Sequence, residues 1–117
     1  MSVHASALAV LSDWAAPDAG QDALRHAVLA FLLARPDGCA RACVPGHVTA
    51  SALVVSPDDE VLLTLHPRFG RWAQLGGHCE DTDTDIVAGI MPACRNFRAS
   101  EAYAIPAGDA LAPAATR

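Results

Sequence analysis

Clusters of proline and glycine divide the first third of the chain into short segments, and this division constrains the fold more than any other feature. Proline and glycine occur together at residues 17–20 and again at 36–38, where they interrupt regular structure. Apolar residues recur at helical spacing over 3–14 and over 22–34. Ser2 stands where the first helix needs an N-cap. The sequence therefore predicts two helices joined by a short turn, a helical hairpin.

The local amino-acid composition changes after Gly46. Residues 47–55 are rich in β-branched and apolar side chains, and 56–59 form a turn sequence before a second apolar run at 61–65. This pattern predicts a β-hairpin. We expect a third short strand at 72–75, followed by a sharp bend because two adjacent glycines come next. The chain is thus predicted to have a mixed α and β fold.

Composition limits the classes of partner. The chain has 117 residues, 52% of them hydrophobic, and a net charge of −5 with no lysine. These values favour one globular domain and argue against nucleic acid as a partner, because no basic face is available for phosphates. No apolar run approaches the ~20 residues that a membrane span needs, and no secretion signal is evident. We expect a cytoplasmic protein, not bound to a membrane, whose four cysteines are free thiols.

The most informative stretch follows the third predicted strand. Trp72 lies in that strand, Gly76 and Gly77 follow it, and Glu80 and Asp83 stand in the acidic segment after the glycines. Asp83 is also placed to cap a helix that would begin near residue 84 and be cut short by the proline at 92.

This stretch resembles the first half of the signature box of the Nudix hydrolases. The box reads Gly, five residues, Glu, seven residues, Arg-Glu, an apolar residue, any residue, and Glu-Glu. With Gly77 as its first glycine, Asp83 stands where the family has Glu. The resemblance implies an α/β/α sandwich around a mixed sheet, here preceded by a helical hairpin similar to one in a bacterial branch of the family.

The resemblance also implies an activity. Nudix hydrolases cleave a nucleoside diphosphate linked to another group, with Mg²⁺ or Mn²⁺ as cofactor. On this basis Glu80 and Asp83 are candidate metal ligands, Gly76, Gly77 and Trp72 are candidate substrate-binding residues, and no residue is assigned as catalytic.

The second half of the box is missing. Its Arg-Glu pair would fall on Met91 and Pro92, and its Glu-Glu pair on Arg95 and Asn96. Glutamates three and four residues apart share one helix face, where their carboxylates converge on divalent cations. We therefore expect a truncated hydrolase that is weakly active or inactive. The alternative is a non-catalytic remnant that binds a nucleotide or a protein, or forms a homodimer through apolar surface left open by missing strands.

The expected organisation follows from these elements. It comprises a helical hairpin over 1–38, a linker loop over 39–46, a partial Nudix-like domain over 47–98, and a disordered tail over 99–117. Too few residues follow Gly46 for the later strands and closing helix of the family, and a shift of reading frame after about Ile90 is one explanation.

Two other kinds of site compete for the same residues. A tetrahedral zinc site would use cysteine and histidine ligands at wider spacing than the usual Cys-x2-Cys knuckle. A Cys-His nucleophilic pair would use Cys79 with His66 or His78. The zinc hypothesis draws on Cys39, Cys43, His47, His78 and Cys79.

Overall fold

A computed structural model describes residues 1–44, 46–66, 68, 70–90 and 102–106. The chain divides into two compact units. Of the described residues, the first comprises those within 1–50 and 77–90, and the second comprises those within 51–76 with the later strand Ala102–Pro106. The predicted mixture of helices and strands is confirmed. Among the described residues, neither helix combines the length and apolar content that a membrane span requires.

Both predicted helices are present in the first unit. Helix α1 spans Val3–Asp13, and the Ser2 hydroxyl accepts a hydrogen bond from the backbone N–H of Ala5 at 3.1 Å, as an N-cap does. Helix α2 spans Ala19–Ala34. It begins three residues earlier than predicted because the Asp18 carboxylate accepts from the backbone N–H of Gln21 at 2.8 Å and caps the first turn.

The core of the first unit is small and lies against both helices. Its buried members are Ala7 from α1, Leu32 from α2, and the two cysteines Cys39 and Cys79. Leu32 is fully buried, at 0% exposure. Three of these four side chains are small, so each removes little apolar surface from water and the core depends strongly on Leu32.

The described residues after the helices include five strands. They are β1 Thr49–Ala52, β2 Glu60–His66, β3 Arg71–Ala73, β4 Leu75–His78 and β5 Ala102–Pro106. β1 and β4 form a two-stranded sheet, and β2 is the central strand of a three-stranded sheet with β3 and β5. Both partners of β2 run antiparallel to it, with Thr64 opposite Ala73 and Val61 opposite Ile105. Val61 is almost completely buried.

The predicted β-hairpin forms only next to its turn. The backbone N–H of Ser56 donates to the Glu60 carbonyl at 2.8 Å, and Val55 makes an isolated bridge with Val61. Beyond these residues β1 pairs with β4, and β2 pairs with β3 and β5. Alternating small and β-branched residues predict a strand but do not specify its partner, which is why the sequence pattern gave the wrong pairing.

The predicted bend at Gly76 and Gly77 is wrong, since both residues lie in β4. Among the glycines in the described ranges, positive φ occurs at Gly70, at 58°. Gly70 is in the turn before β3, where its N–H donates to the His66 carbonyl at 2.9 Å. Glycine adopts this left-handed conformation without the steric cost that other residues incur.

The helix expected after Asp83 is also absent from residues 84–90. That segment ends in a single 3₁₀ turn, Ala88–Ile90. The residue that caps it is Asp85, whose Oδ1 accepts from the backbone N–H groups of Val87 and Ala88. The sequence reasoning chose Asp83 because either aspartate fits a capping pattern, and only the backbone path distinguishes them.

Part of the predicted disordered tail forms a strand. Tyr103 and Ile105 alternate with alanines within β5, a spacing of two that suits a strand beside β2. The rest of the tail, residues 99–101 and 107–117, lies outside the described residues, as do Met91, Pro92, Arg95 and Asn96.

Candidate functional site

A pocket in the first unit contains both predicted metal ligands. It has a volume of about 500 Å³ and is lined by the start of α1, the loop after α2 and the segment after β4. We call it the acidic pocket, because its lining includes four carboxylate side chains. These are Asp37, Glu80, Asp81 and Asp83.

Asp83 is held in a fixed position at this pocket. Its Oδ2 accepts a hydrogen bond from the backbone N–H of Glu80 at 2.8 Å, and its own N–H donates to the Glu80 carbonyl at 3.0 Å. Gly89 packs beside the same carboxylate, because a Cβ at that position would stand 3.0 Å from Oδ2 and 3.2 Å from Cγ. Asp83 therefore closes a turn with Glu80 and is half-buried, whereas Glu80 is exposed.

These carboxylates do not assemble into the metal centre that the resemblance implies. Within the described ranges, no three His, Cys, Asp or Glu side chains are arranged to hold a metal ion. Carboxylate oxygens are suitable ligands for Mg²⁺, but one oxygen of Asp83 is already bonded to the backbone. The positions that would supply the remaining ligands carry Met91, Pro92, Arg95 and Asn96 in the sequence. The residues present therefore do not fit a Mg²⁺ or Mn²⁺ centre of that kind.

The charge of the pocket is negative at neutral pH. The Arg35 guanidinium donates two hydrogen bonds of 2.8 Å to the Asp37 carboxylate, and this bonding lowers the pKa of Asp37 to about 2. His4 also lines the pocket, but its Nε2 is engaged with the Leu32 carbonyl at 2.7 Å. An anionic phosphate would meet repulsion here unless cations accompanied it.

The two cysteines at the acidic pocket are neutral thiols. Burial is the main cause that raises the pKa of both Cys39 and Cys79 above the ordinary thiol value. Cys79 donates a weak hydrogen bond to the Val48 carbonyl, with a sulfur-to-oxygen distance of 3.6 Å. A thiol that stays protonated is a poor nucleophile, so the burial and raised pKa of Cys79 disfavour it as a catalytic nucleophile with His66 or His78.

A tetrahedral zinc site with cysteine ligands is not supported among the described residues either. Cys39, Cys43 and Cys79 are free and buried, and no metal-binding group of three was found among the described residues. The fourth cysteine, Cys94, lies outside the described ranges.

The candidate substrate-binding residues are divided between the two units. Trp72 in β3 and Gly76 in β4 belong to the second unit, and Gly77 belongs to the first. The Trp72 side chain is 50% exposed. A Cβ at Gly77 would meet no atom within 4 Å, so packing does not require glycine there. Trp72, Gly76 and Gly77 are not among the residues that line the acidic pocket.

The fold brings together two histidines, His47 and His78, which the sequence grouped only as members of a wider set of zinc ligands. His47 Nε2 lies 2.8 Å from His78 Nδ1, and the two rings are tilted by 42° with centroids 5.0 Å apart. The two residues are 31 positions apart in the chain, and no spacing rule connects them. The sign in the sequence was indirect, since His47 begins a predicted strand and His78 follows another.

A second feature of the first unit is an apolar groove of about 450 Å³. One side is the face of α2 that carries apolar residues at helical spacing, and the other is the segment before β1. We call it the apolar groove. Its lining comprises Leu24, Ala27, Val28, Phe31, Gly46, His47 and Val48.

Comparison with protein-family models, with curated proteins and with solved structures found no match to this chain. The resemblance to Nudix hydrolases rests on the sequence alone, over roughly residues 2–90 and most specifically over 76–80.

Proposed function

We propose that this chain is a Nudix-related domain, an incomplete α/β/α sandwich, whose hydrolase activity toward nucleoside diphosphate derivatives is absent or very low. The pattern of strand, paired glycines and carboxylates from Trp72 to Asp83 supports the relation to the family. We infer the low activity from the acidic pocket. Its carboxylates Glu80 and Asp83 have the chemistry of the box, but no third ligand joins them among the described residues.

The expected loss of rate follows from what the cation contributes in such enzymes. A divalent ion stabilises the charge that develops on phosphoryl oxygens by several kcal/mol. Each ~1.4 kcal/mol corresponds to a factor of ten in rate, so losing about 4–6 kcal/mol would slow hydrolysis by roughly 10³- to 10⁴-fold. Without that ion, the negative charge of the acidic pocket also opposes binding of a diphosphate.

The substrate class in this proposal is based on the resemblance and on the half-exposed residue Trp72. Trp72 presents half of its surface to solvent, and an indole face can stack on a nucleobase. Gly76 and Gly77 are the backbone positions that the box would place beside the phosphates. Mg²⁺ or Mn²⁺ is the cofactor of this class of reaction.

A metal-dependent hydrolysis assay tests the proposal. The full chain is incubated with Mg²⁺ or Mn²⁺ and a panel of nucleoside diphosphate derivatives, and phosphate or nucleotide release is measured. Asp83→Ala removes the box carboxylate, and Asp58→Ala removes a carboxylate from the exposed turn before β2 as a matched control. We expect no metal-dependent release above background from any of the three proteins. Release that requires metal, falls in Asp83→Ala and persists in Asp58→Ala would refute the loss of activity.

A second candidate function is a non-catalytic binding module, and the apolar groove favours it. Leu24, on the α2 face of the groove, is 59% exposed, and exposed apolar side chains on one face are typical of protein contacts. The partner on this reading is a second copy of the chain, which gives a homodimer. Sedimentation velocity over a range of concentrations would detect it, and Leu24→Glu should abolish the dimer. A monomer at all concentrations would exclude this candidate.

A further inference from the structure

We propose that His47 and His78 form a surface site for one divalent transition-metal ion of the kind that imidazole prefers, Cu²⁺, Ni²⁺ or Zn²⁺. Their nearest ring nitrogens are 2.8 Å apart, His78 is exposed and His47 is half-buried. Neutral imidazole is the commonest protein ligand for these ions. The site is separate from the acidic pocket and does not depend on the proposed function.

The backbone fixes the two histidines relative to each other. His78 is the last residue of β4, and His47 lies two residues before β1, the strand that pairs with β4. The neighbouring residues are also in contact, since the Cys79 thiol donates to the Val48 carbonyl. The N–H of Val48 in turn donates to the Gly38 carbonyl at 2.8 Å. Little backbone freedom is therefore lost when both rings bind one ion.

The distance between the nitrogens matches chelation. With metal-to-nitrogen bonds of about 2.0–2.1 Å, two ligand nitrogens are about 2.9 Å apart at a right angle and about 3.3 Å apart in a tetrahedral arrangement. From their separation of 2.8 Å, the His47 and His78 nitrogens need to move apart by about 0.1 Å for the first arrangement and about 0.5 Å for the second. Rotation of the rings about their side-chain bonds supplies this movement and turns both lone pairs toward a common point.

Binding requires a change of tautomer but no net loss of a proton. In the hydrogen-bonded pair, one of the two facing nitrogens carries the shared proton and the other accepts it. When the metal binds, the donating imidazole carries its proton on its other ring nitrogen instead. Both facing nitrogens then have free lone pairs, and each forms one bond to the ion.

The number and kind of ligands determine which ion binds at this site and how tightly. No other His, Cys, Asp or Glu in the described ranges completes a group of three with this pair, so water fills the remaining positions. The thiol of Cys79 is buried and bonded to Val48, whereas His78 is exposed. A site of two imidazoles and water should bind Cu²⁺ more tightly than Ni²⁺ or Zn²⁺, and should not bind Mg²⁺, which prefers oxygen ligands.

Titration of the untagged full chain with Cu²⁺ tests the site. Isothermal calorimetry should give one ion per chain, and electron paramagnetic resonance should show two nitrogen ligands. His47→Ala and His78→Ala should each weaken binding at least about tenfold, because each removes half of the chelate. His26→Ala, which removes an exposed histidine from α2, should leave the affinity unchanged.

Two results would overturn the proposal. One is Cu²⁺ binding that survives both His47→Ala and His78→Ala. The other is binding that is lost in His4→Ala, which would place the ion at the chain terminus. If circular dichroism shows that a variant does not fold, the test is instead the broadening of NMR resonances by bound Cu²⁺ in the unchanged protein. Selective broadening of the His47 and His78 ring resonances supports the site, and its absence refutes it.

Discussion

The hydrogen bond between α1 and the segment after Asp83 offers the sharpest test of the first unit. Ser6 is 4% exposed, and its hydroxyl oxygen accepts from the backbone N–H of Ile86 at 3.0 Å, across 80 positions of the sequence. Ser6→Ala removes the acceptor and leaves that N–H half-buried. The change should lower the free energy of unfolding, because a buried donor without a partner loses its hydration without compensation.

The magnitude follows from two opposing effects. An unpaired buried donor costs about 1–3 kcal/mol. Alanine has a higher helix propensity than serine, which returns about 0.5 kcal/mol within α1. The net loss for Ser6→Ala is therefore at most about 0.5–2.5 kcal/mol, because Ile86 is half-buried and water partly replaces the lost acceptor. Ser12→Ala makes the same substitution at an exposed position of the same helix and should be neutral or slightly stabilising.

Urea unfolding followed by circular dichroism at helical wavelengths measures this difference, since both helices belong to the first unit. Amide hydrogen exchange adds a local measurement, and the Ile86 amide should exchange faster in Ser6→Ala than in the unchanged chain. Equal stability of Ser6→Ala and Ser12→Ala, with unchanged exchange at Ile86, would show that the bond does not join α1 to this segment.

Three further predictions concern the same unit. Gly38→Ala should lower the urea midpoint of unfolding, because the added Cβ would lie 3.0 Å from both the Arg35 carbonyl oxygen and Phe31 Cε1. Overpacking of this kind costs about 1–3 kcal/mol. A midpoint equal to that of the unchanged chain would contradict the close packing. Asp37 should titrate near pH 2 by NMR, and Arg35→Gln should move its pKa toward the ordinary value of 3.8. Because the pKa of Asp37 is lowered in the folded state, its carboxylate contributes stability above about pH 4, and this stability is lost as the pH falls toward 2. An unchanged Asp37 pKa in Arg35→Gln would refute the pairing of these two side chains. Cys39 and Cys79 should react with a thiol reagent at pH 8 far more slowly in the folded protein than in the urea-unfolded protein, because burial raises the pKa of both thiols. Equal rates in the two states would show that the thiols are accessible in the folded protein.

The candidate site was predictable in part, and the reason lies in the range of the interactions. Glu80 and Asp83 were chosen because this stretch resembles the Nudix box, and the structure places both at one pocket. Their grouping needs only the turn between them, in which the Glu80 N–H donates to Asp83. Asp37 joins them from the loop after α2, and local spacing does not predict such a contact.

Local chemistry in the sequence determined the helices and the existence of most strands. Ser2 caps α1 because a hydroxyl next to an apolar-periodic segment satisfies free N–H groups, and β2 forms where β-branched and apolar residues are continuous. These effects act over a few residues. They also explain the errors at the boundaries, such as α2 beginning at Ala19 after the Asp18 cap.

Only the tertiary structure decided which strands pair and which distant side chains meet. β1 pairs with β4 and not with β2 beyond the turn, since pairing depends on the burial of side chains contributed by several elements. The meeting of His47 with His78, and of Ser6 with Ile86, depends on the same long-range packing. Short-range patterns set which elements form, but the free energy that selects their partners is gained only when surfaces far apart in the sequence are buried together.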